Sequence, residues 1–324
     1  MELLTLLSDG KFHSGVDLAQ HFNVSRTTIA KKIKDWQACG LDIDVVQGKG
    51  YRLQQPIQWL QQSQIWQHIP VDIQQKISLF ELKQEVASTN DVVAEQLQTL
   101  KKSGIVCVAE MQSAGRGRRG RTWFSPPAGT FYGSVGWLFY QGFQVLEGLS
   151  LAVGVAVIKA LQTQGIEGLS LKWPNDILWH GKKLGGVLIE VNAEMDGVCA
   201  VVVGVGVNLA LPQAVKQQIE QEVVDIREII GQTLNRQQVT AALISHIVSL
   251  LAAYAQVGFS AWQTQWQQYD ALYGQEVEVL GLAQPIVGIA KGIDKTGALI
   301  IQTNLGQQVI SGGEVSLRKR QPSI

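Results

Sequence analysis

The sequence predicts an α+β protein built from three domains, each with its own pattern. Residues 1–60 contain short helices with serine caps followed by a hairpin, which predicts a winged helix–turn–helix. Residues 65–270 alternate apolar, strand-like runs with amphipathic helical stretches, as in an α/β domain. Residues 271–324 contain short strands separated by Gly-rich turns, which predict a small SH3-like β-barrel. The length of 324 residues agrees with this division, because a single hydrophobic core stops growing at roughly 250–300 residues.

The charged residues are balanced in number but unevenly placed. The chain carries 27 basic and 27 acidic residues, which gives no overall indication of a nucleic-acid, membrane or acidic partner. Four of the ten arginines, however, lie between Arg116 and Arg121. Three cysteines without paired spacing, Cys39, Cys107 and Cys199, favour a reducing cytoplasm. We expect no signal peptide, no membrane span of ~20 apolar residues and no transition-metal centre.

In the first domain, two helices joined by a tight turn predict DNA binding. Ser14 can cap the first of these helices and Ser25 the second, in which Ile29, Ile33 and Trp36 share one face. The outward side then carries short polar residues for base edges and basic residues for phosphates. With Lys49 of the following hairpin, the candidate DNA-binding residues are Ser25, Arg26, Thr27, Thr28, Lys31, Lys32 and Lys49. The alternative is a helical interaction domain with an ordinary solvated basic face.

A glycine hairpin and a break in pattern follow the second helix. The runs 43–46 and 51–53 flank Gln47-Gly48-Lys49-Gly50, so Lys49 and Arg52 could flank DNA as a wing. The sequence Gln54-Gln55-Pro56 then interrupts the pattern, and we place the domain boundary within residues 55–65.

In the second domain, polar residues stand at the start of a predicted helix. Ser88, Thr89 and Asn90 come before an amphipathic stretch that stops at Gly104. These polar groups either cap the helix alone or also bind a ligand at its N-terminus, and both readings stay open at this point. A buried-looking strand, residues 105–109, follows.

The arginine loop, residues 115–121, is the most unusual segment. Its first six residues satisfy G-x-G-x-x-G, but the dinucleotide fingerprint must open a helix, and Ser125-Pro126-Pro127 follows almost at once. Guanidinium groups match phosphate oxygens in bidentate geometry, and the indole of Trp123 can cover a purine ring. The alternatives are a solvated basic loop or a second nucleic-acid contact. Because four arginines repel one another, we expect disorder that resolves when an anion binds.

Two further segments carry polar residues beside glycines. Residues 172–176 read Lys-Trp-Pro-Asn-Asp, and a hairpin about His180-Gly181 leads to Lys183, which precedes Leu184-Gly185-Gly186. The apolar strand 200–209 has glycine at positions 204 and 206, which would leave shallow space on one face for a flat or bicyclic ligand.

Together these motifs resemble those of the biotin protein ligases, over nearly the whole chain. The segments that carry the resemblance, in order, are Ser88-Thr89-Asn90, Gln112 with the glycine–arginine loop 115–120, Lys172-Trp173-Pro174-Asn175-Asp176, Lys183-Leu184-Gly185-Gly186 and Gly204-Val205-Gly206-Val207-Asn208. The helix–turn–helix makes the chain similar to the bifunctional type that also represses transcription of biotin synthesis genes. The resemblance implies a mixed-sheet catalytic domain like that of class II aminoacyl-tRNA synthetases.

The resemblance also implies a two-step reaction. The biotin carboxylate attacks the α-phosphate of ATP to give biotinyl-5′-AMP and pyrophosphate, and a Lys of the biotin carboxyl carrier protein of acetyl-CoA carboxylase then takes the biotinyl group. The implied substrates are ATP and biotin, with Mg²⁺ placed at Asp176. Biotinyl-5′-AMP would order the arginine loop and favour a homodimer, so that two helix–turn–helix modules bind an inverted-repeat operator.

Residue roles follow from the resemblance position by position. The implied catalytic residues are Arg118, Lys183 and Asp176. The implied biotin-binding residues are Ser88, Thr89, Asn90, Gln112, Gly115, Arg116, Gly117, Arg118, Lys183, Gly186 and Val207. The implied ATP- and adenylate-binding residues are Arg118, Arg119, Arg121, Trp123, Asn175, Asp176 and Asn208. Glu314 and Arg318 match C-terminal positions linked to ATP and carrier binding, and a structural ion pair is the other reading.

One segment departs from the repressor members, which often carry a Trp in the stretch that closes over the adenylate. Residues 212–226 contain no Trp and offer Val223 and Val224 instead. The rival readings are a biotin-responsive repressor without ligase activity, a ligase with a vestigial DNA-binding domain and, more distantly, a lipoate ligase. Intact Arg118, Lys183 and Asp176 count against the first of these.

Overall fold

The N-terminal part of the chain forms the predicted winged helix–turn–helix. The computed structural model describes residues 2–193, 197–232, 234–282, 284–312 and 315–320. The elements of this part are α1 (Glu2–Leu7), α2 (Gly15–His21), α3 (Arg26–Ala38), β1 (Ile43–Val46) and β2 (Gly50–Leu53). The two strands pair antiparallel, which gives the wing.

Both serine caps form as predicted. The Ser14 side chain accepts a hydrogen bond from the Val16 amide, and the Ser25 side chain accepts one from the Thr28 amide. The buried face of α3 packs against the leucines of α1 and the ends of the wing strands in one small hydrophobic core. The capped helices therefore leave the predicted basic side of α3 in solvent.

The central part contains a seven-stranded sheet with helices on both faces. Its elements are α4 (Gln62–His68), α5 (Val71–Gln74), β3 (Leu79–Lys83), α6 (Thr89–Leu100), β4 (Ile105–Ala109), β5 (Thr130–Phe139), α7 (Leu149–Gln162), β6 (Leu169–Lys172), β7 (Asp176–Trp179), β8 (Lys182–Ala193), β9 (Cys199–Asn208), α8 (Gln213–Gln218), α9 (Ile226–Ile230), α10 (Arg236–Val257) and α11 (Ser260–Tyr269). The strand order is β3-β4-β5-β9-β8-β7-β6. The β3–β4 pair is parallel and the others are antiparallel, so the sheet is mixed as predicted.

Strand β9 shows how the sheet divides core from site. Val201, Val203 and Val205 lie in the large core shared with α7 and α10, whereas Ala200 and Val202 lie in a smaller core under α6. Because side chains alternate along a strand, positions 204, 206 and 208 fall on the α6 face, beyond the end of that smaller core. The glycines of this strand therefore face the region where α6 begins.

Two segments are long and apolar enough to span a membrane by length and composition alone, Phe143–Gln162 and Arg236–Val257. From the sequence, the apolar run around Leu149–Leu161 is interrupted by Lys159 and is shorter than the ~20 residues of a membrane span, and the second segment was not identified. In each, 61% of the most apolar window is buried inside the structure, where α7 and α10 pack on each other and on the sheet. They are the core helices of the central domain, as helices that are apolar on all sides usually are.

The C-terminal part is a five-stranded antiparallel sheet. Its strands are β10 (Glu276–Leu280), β11 (Ile286–Ile293), β12 (Leu299–Thr303), β13 (Gly306–Ile310) and β14 (Ser316–Lys319), in the order β13-β12-β11-β10-β14. The first four were predicted from their apolar runs, whereas β14 was not. The Trp173 indole nitrogen donates to the Gly297 carbonyl at 3.0 Å, which joins this sheet to the central domain.

A buried ion pair fastens the linker between the first two domains. Arg236 Nη2 lies 2.7 Å from Glu110 Oε2, and the two side chains are only 7% and 4% exposed. The same guanidinium donates to the Gln58 carbonyl, and the Leu60 amide donates to Glu110 Oε1. The chain is thus held to the central domain before α4 begins. The division at 1–60, 65–270 and 271–324 stays a prediction.

Removing one partner of this pair should destabilise the whole molecule. We expect Glu110→Ala to lower the free energy of unfolding by about 3–5 kcal/mol, because it leaves the buried Arg236 guanidinium uncompensated. Urea denaturation followed by circular dichroism measures the change. The control is Glu95→Ala, an exposed carboxylate on α6. Equal stabilities of the two variants would contradict the role given to the pair.

Candidate active site

A cavity of about 720 Å³ opens on the α6 side of the sheet. Its walls come from the start of α6, the arginine loop, the β6–β7 turn, strands β8 and β9, residues 218–223 and residues 315–318. The predicted site residues that line it are Ser88, Thr89, Asn90, Gln112, Arg116, Gly117, Arg118, Arg119, Arg121, Trp123, Asn175, Asp176, Lys183, Gly186 and Asn208. Segments far apart in sequence thus meet in one space.

The polar residues at the start of α6 cap the helix and also belong to a network beside the cavity. The Ser88 side chain accepts from the Asn90 amide, and the Thr89 amide donates to Gln112 Oε1 at 2.9 Å. Ser134 Oγ lies 2.7 Å from Thr89 Oγ1 and 2.6 Å from Asn90 Oδ1. Ser88, Thr89, Asn90 and Ser134 are all buried. Sequence reasoning missed Ser134, because no local motif singles it out within β5.

The arginine loop follows a defined path. The Trp123 amide donates to the Gly115 carbonyl, and the Gly117 amide donates to the Arg121 carbonyl at 2.7 Å. A single 3-10 turn, Arg118–Gly120, forms its tip. The G-x-G-x-x-G pattern therefore opens no α-helix, in agreement with the rejection of a dinucleotide fingerprint.

Arg116 is neutralised by acidic side chains that the sequence argument did not identify. Its guanidinium lies 2.5 Å from Asp91 Oδ1 and 3.4 Å from Glu190 Oε1. The hydrogen bond from Arg116 lowers the pKa of the Asp91 carboxyl. Glu190 also accepts from Asn90 Nδ2 at 2.9 Å. The prediction of mutual repulsion among four arginines omitted these two acids.

Asp176 lies among several cations. Lys183 Nζ is 2.7 Å from Asp176 Oδ1, and Lys172 Nζ is 3.9 Å from Asp176 Oδ2. Burial lowers the pKa of Lys172, Asp176 opposes this effect, and the neighbouring Lys183, Arg121 and Arg318 lower the pKa further. The carboxylate is therefore outnumbered by the positive charges around it.

Asn175 connects this cluster to the loop and the sheet. Its Nδ2 donates to the Val187 carbonyl at 2.9 Å, while its Oδ1 accepts from Arg118 Nη1 at 3.4 Å. The tip of the arginine loop thus reaches the turn between β6 and β7.

The glycines of β9 make room for protein side chains. A Cβ at position 206 would lie 2.6 Å from Trp123 Cε2, and one at position 204 would meet Asn90 Oδ1. Both glycines also line the cavity, so the predicted space on this face is present and is shared with the side chains of Asn90 and Trp123. Trp123 forms part of the cavity wall, with Lys183 Nζ 5.5 Å from its ring centroid and its Nε1 buried without a hydrogen-bond partner.

Two predicted biotin-binding residues lie away from the cavity. Val207 is fully buried in the large core, because the alternation of β9 turns it to the opposite face from Gly206. Gly115 lies beneath the loop, where a Cβ would come within 2.6 Å of Ser125 Oγ. Gly115 shapes the loop, whereas Val207 contributes packing.

The segment after β9 covers one side of the cavity without a Trp. The Lys183 amide donates to the Glu222 carbonyl at 2.9 Å, and the Val224 amide donates back to the Lys183 carbonyl at 3.0 Å. Asn208 Nδ2 donates to the Val224 carbonyl as well. Val223 lines the cavity, whereas Val224 is fully buried in the core. Backbone pairing with β8 therefore holds this segment in place.

Lys216 anchors the same segment from outside. Its ammonium lies 2.9 Å from Asp225 Oδ2 and 2.7 Å from Glu228 Oε2, and these hydrogen bonds outweigh burial and raise the pKa of Lys216. The start of α8 also packs close to the DNA-binding domain, since a Cβ at Gly40 would lie 2.7 Å from Pro212, which precedes α8, and 3.0 Å from Val215 within it.

The C-terminal domain contributes Arg318 to the cavity wall, as the resemblance implied. Glu314 lies outside the described residues. Within the described parts of the chain, no group of three or more His, Cys, Asp or Glu side chains could hold a metal ion. A Mg²⁺ ion at Asp176 would therefore depend on substrate phosphate oxygens for most of its ligands.

The predicted DNA-binding residues are exposed along α3 and the wing. Arg26, Thr27, Thr28, Lys31 and Lys32 are exposed on α3, and Lys49 is exposed in the wing. Ser25 Oγ caps α3 by accepting from the Thr28 amide and also lies 2.8 Å from both Thr27 Oγ1 and Thr28 Oγ1. In the wing, Arg52 pairs with Asp44 at 2.5 Å, which leaves less of its charge for DNA.

Comparisons with known proteins agree with this geometry. Residues 82–208 match the biotin/lipoate A/B protein ligase family, residues 272–318 the biotin protein ligase C terminal domain, and residues 1–52 an HTH domain. The chain is 35% identical to bifunctional ligase/repressor BirA of Salmonella typhimurium and 34% identical to that of Escherichia coli, in each case over 98% of this chain and 97% of the relative. A solved biotin protein ligase from Aquifex aeolicus, in complex with biotin and ATP, superposes with a TM-score of 0.65 at 30% identity and covers 75% of this chain and 100% of its own.

The Asp91–Arg116 pair should contribute a pH-dependent part of stability. Because the pKa of Asp91 is lowered from 3.8, the contribution is complete above that pH and is lost as the pH falls through the lower, folded-state value. More than half of the Asp91 side chain is exposed, so we expect Asp91→Asn to cost at most about 1 kcal/mol at pH 7. Urea denaturation at several pH values from 7 to 2.5 measures the free energy of unfolding of the unchanged protein and of Asp91→Asn. We expect the two values to converge at acidic pH. A difference that stays constant over this range would contradict the assignment.

Proposed function

The chain belongs to the biotin protein ligases of the bifunctional ligase/repressor type, and on this premise we propose that it biotinylates a carrier protein with ATP and represses transcription of biotin synthesis genes. The observation that carries the proposal is that a buried polar network and a cluster of cations meet at one cavity. The network offers neutral donors and acceptors, as a ureido ring requires. The cations offer the charge that a triphosphate requires.

The proposed chemistry uses no covalent enzyme intermediate. The biotin carboxylate oxygen bonds to the α-phosphorus of ATP, the bond to the β-phosphoryl oxygen breaks, and pyrophosphate leaves. The side chain of Arg118 contacts Asn175, and that of Lys183 contacts Asp176, so both cations reach the β6–β7 turn. There they compensate the negative charge that builds on the α-phosphoryl oxygens. Bound Mg²⁺ would supply further charge neutralisation between Asp176 and the phosphates.

The second proposed step moves the biotinyl group to a Lys of the biotin carboxyl carrier protein, with AMP as the leaving group. The carrier amine must be neutral to attack, although a free Lys has a pKa of ~10.4. The concentration of positive charge around the cavity favours deprotonation of an amine that enters it, because like charges lower the pKa of an ammonium. As the amine nitrogen bonds to the biotinyl carbonyl carbon, the bond to the phosphate oxygen of AMP breaks and the proton lost by the nitrogen passes to solvent, while the site field keeps the incoming amine neutral.

Repression is proposed to require a homodimer joined through the sheet. Strand β8 pairs with β7 only up to Gly186, and Val187 is hydrogen-bonded to Asn175, so among the described residues the last part of β8, residues 188–193, pairs only with β9. An edge of this kind is a template for a second strand. Tyr140 and Phe143, which are 69% and 59% exposed, follow β5 at the same end of the sheet. A second copy of the chain would cover this edge and these rings together.

The structure also suggests how biotinyl-5′-AMP would act as corepressor. Glu190, in the part of β8 that pairs only with β9, accepts from Arg116 of the arginine loop at 3.4 Å. An adenylate that fixes the loop would therefore fix the edge as well. Dimerisation would then place two copies of α3 for two operator half-sites. We place the protein in the cytoplasm, in keeping with its three free cysteines.

Ligase activity is tested first by pyrophosphate release from biotin and ATP. Arg118→Ala should loosen retention of the adenylate by ~2–4 kcal/mol, because it removes one side of a charge-assisted contact and leaves the anion poorly compensated. The measurement is the release rate of biotinyl-5′-AMP, with Arg320→Ala, outside the cavity, as control. An unchanged release rate would exclude the role of Arg118. A lack of pyrophosphate release by the unchanged protein would favour a repressor without ligase activity.

Repressor activity is tested by gel shift on inverted-repeat operator DNA with biotinyl-5′-AMP. Lys31→Ala should weaken binding and reduce the slope of log affinity against log salt by about 1.8, as expected for one lost phosphate contact in each of the two protomers. The matched control is Lys295→Ala, an exposed lysine of the C-terminal domain. Binding by the unchanged protein that is no tighter than to scrambled DNA would indicate a vestigial DNA-binding domain.

A further inference from the structure

Lys172 is a cavity residue to which neither the sequence argument nor the resemblance gave a role. It is the last residue of β6 and stands opposite Asp176 in the register of the β6–β7 hairpin. Its side chain is 26% exposed and lines the cavity. A half-buried ammonium at the end of a strand is costly unless a negative charge is near it.

Lys172 has more positively charged than negatively charged neighbours among the residues that act on it. Asp176 is its ion-pair partner at 3.9 Å, but the same carboxylate lies closer to Lys183, at 2.7 Å. Arg121 of the arginine loop and Arg318 of β14 bring further positive charge to Lys172. Among the described residues, Asp176 is the carboxylate that pairs with Lys172, whereas Lys183, Arg121 and Arg318 all bring positive charge to it, and an anionic ligand would supply further negative charge.

The position of Lys172 separates it from the cations already placed at the reacting phosphorus. Arg118 contacts Asn175, and Lys183 contacts Asp176 and lies over the Trp123 ring. Lys172 instead has among its neighbouring cations Arg318, which lies in the cavity wall that the C-terminal domain forms. A triphosphate whose α-phosphorus lies at Arg118 and Lys183 would extend its outer phosphates toward this side.

We propose that Lys172, with Arg318 beside it, binds the pyrophosphate group of ATP and stabilises it as it leaves. This inference rests on the proposed adenylation. As the carboxylate oxygen bonds to the α-phosphorus, the electron pair of the breaking bond passes to the pyrophosphate oxygen, and no proton is transferred. The Lys172 ammonium compensates the negative charge that develops there. AMP is the leaving group in the transfer step, so the contact of Lys172 with pyrophosphate acts in the first step alone.

The test separates the two steps in the full-length protein. Lys172→Met should slow single-turnover formation of biotinyl-5′-AMP from biotin and ATP about 100-fold, the scale of one lost charge-stabilising contact. It should also raise, by at least about tenfold, the pyrophosphate concentration that half-saturates the reverse reaction from added biotinyl-5′-AMP, as one lost ionic contact does. Transfer of biotin from added biotinyl-5′-AMP to the carrier should fall far less than adenylation, because Lys172 supplies only one of the positive charges around the cavity that favour the neutral carrier amine.

Two further variants complete the experiment. Lys172→Arg keeps the charge and should restore most of the pyrophosphate affinity, which a purely structural role would not predict. Lys291→Met removes a charge from an exposed position on β11, outside the cavity, and should alter neither step.

Two results would overturn the inference. One is an unchanged half-saturating concentration of pyrophosphate in Lys172→Met, and the other is an equal loss of adenylation and carrier transfer. If Lys172→Met fails to fold, Lys172→Gln is judged by the same two results. Failure of the unchanged protein to release any pyrophosphate would instead overturn the proposed function itself.

Discussion

The buried pair of Glu110 and Arg236 is the contact on which the relation between the parts of this molecule depends. Glu110 ends the segment that begins with β4, and its carbonyl also receives the Ala128 amide, so the pair stands at the base of the arginine loop. Arg236 begins α10, the longest helix of the core. The linker from the DNA-binding domain is tied to both side chains. A desolvated pair of this kind holds one geometry, because either charge left alone would be costly.

Charge is separated within the cavity as well as along the chain. Arg116, at the start of the loop, is neutralised by Asp91 and Glu190, whereas Lys172 and Lys183 share the single carboxylate of Asp176. One end of the cavity is therefore close to neutral and rich in hydrogen-bonding groups, and the other end is strongly positive. A ligand that is neutral at one end and anionic at the other can enter in only one orientation. The net charge of the chain, which is zero, gives no indication of this separation of charge within the cavity.

Local sequence signals predicted the fold well and the site in part. Serine caps, the wing hairpin and the strands around Gly204 depend on residues a few positions apart, and all of them form as predicted. The partners of Arg116 lie 25 and 74 positions away, and no local pattern points to them. Val207 was placed by its motif, but strand alternation decides which face it takes. Whether the residues gathered at the cavity bind as proposed stays a prediction.

The cavity is formed by two domains, because residues 315–318 of the C-terminal domain contribute part of its wall. A ligand held between them loses its contacts if either domain unfolds or moves away. By mass action, a ligand at 100 times its dissociation constant stabilises the bound form by about 2.7 kcal/mol. That free energy stabilises the folded state of both domains at once, because the ligand contacts both. The protein with bound nucleotide should therefore unfold more cooperatively than the protein without it.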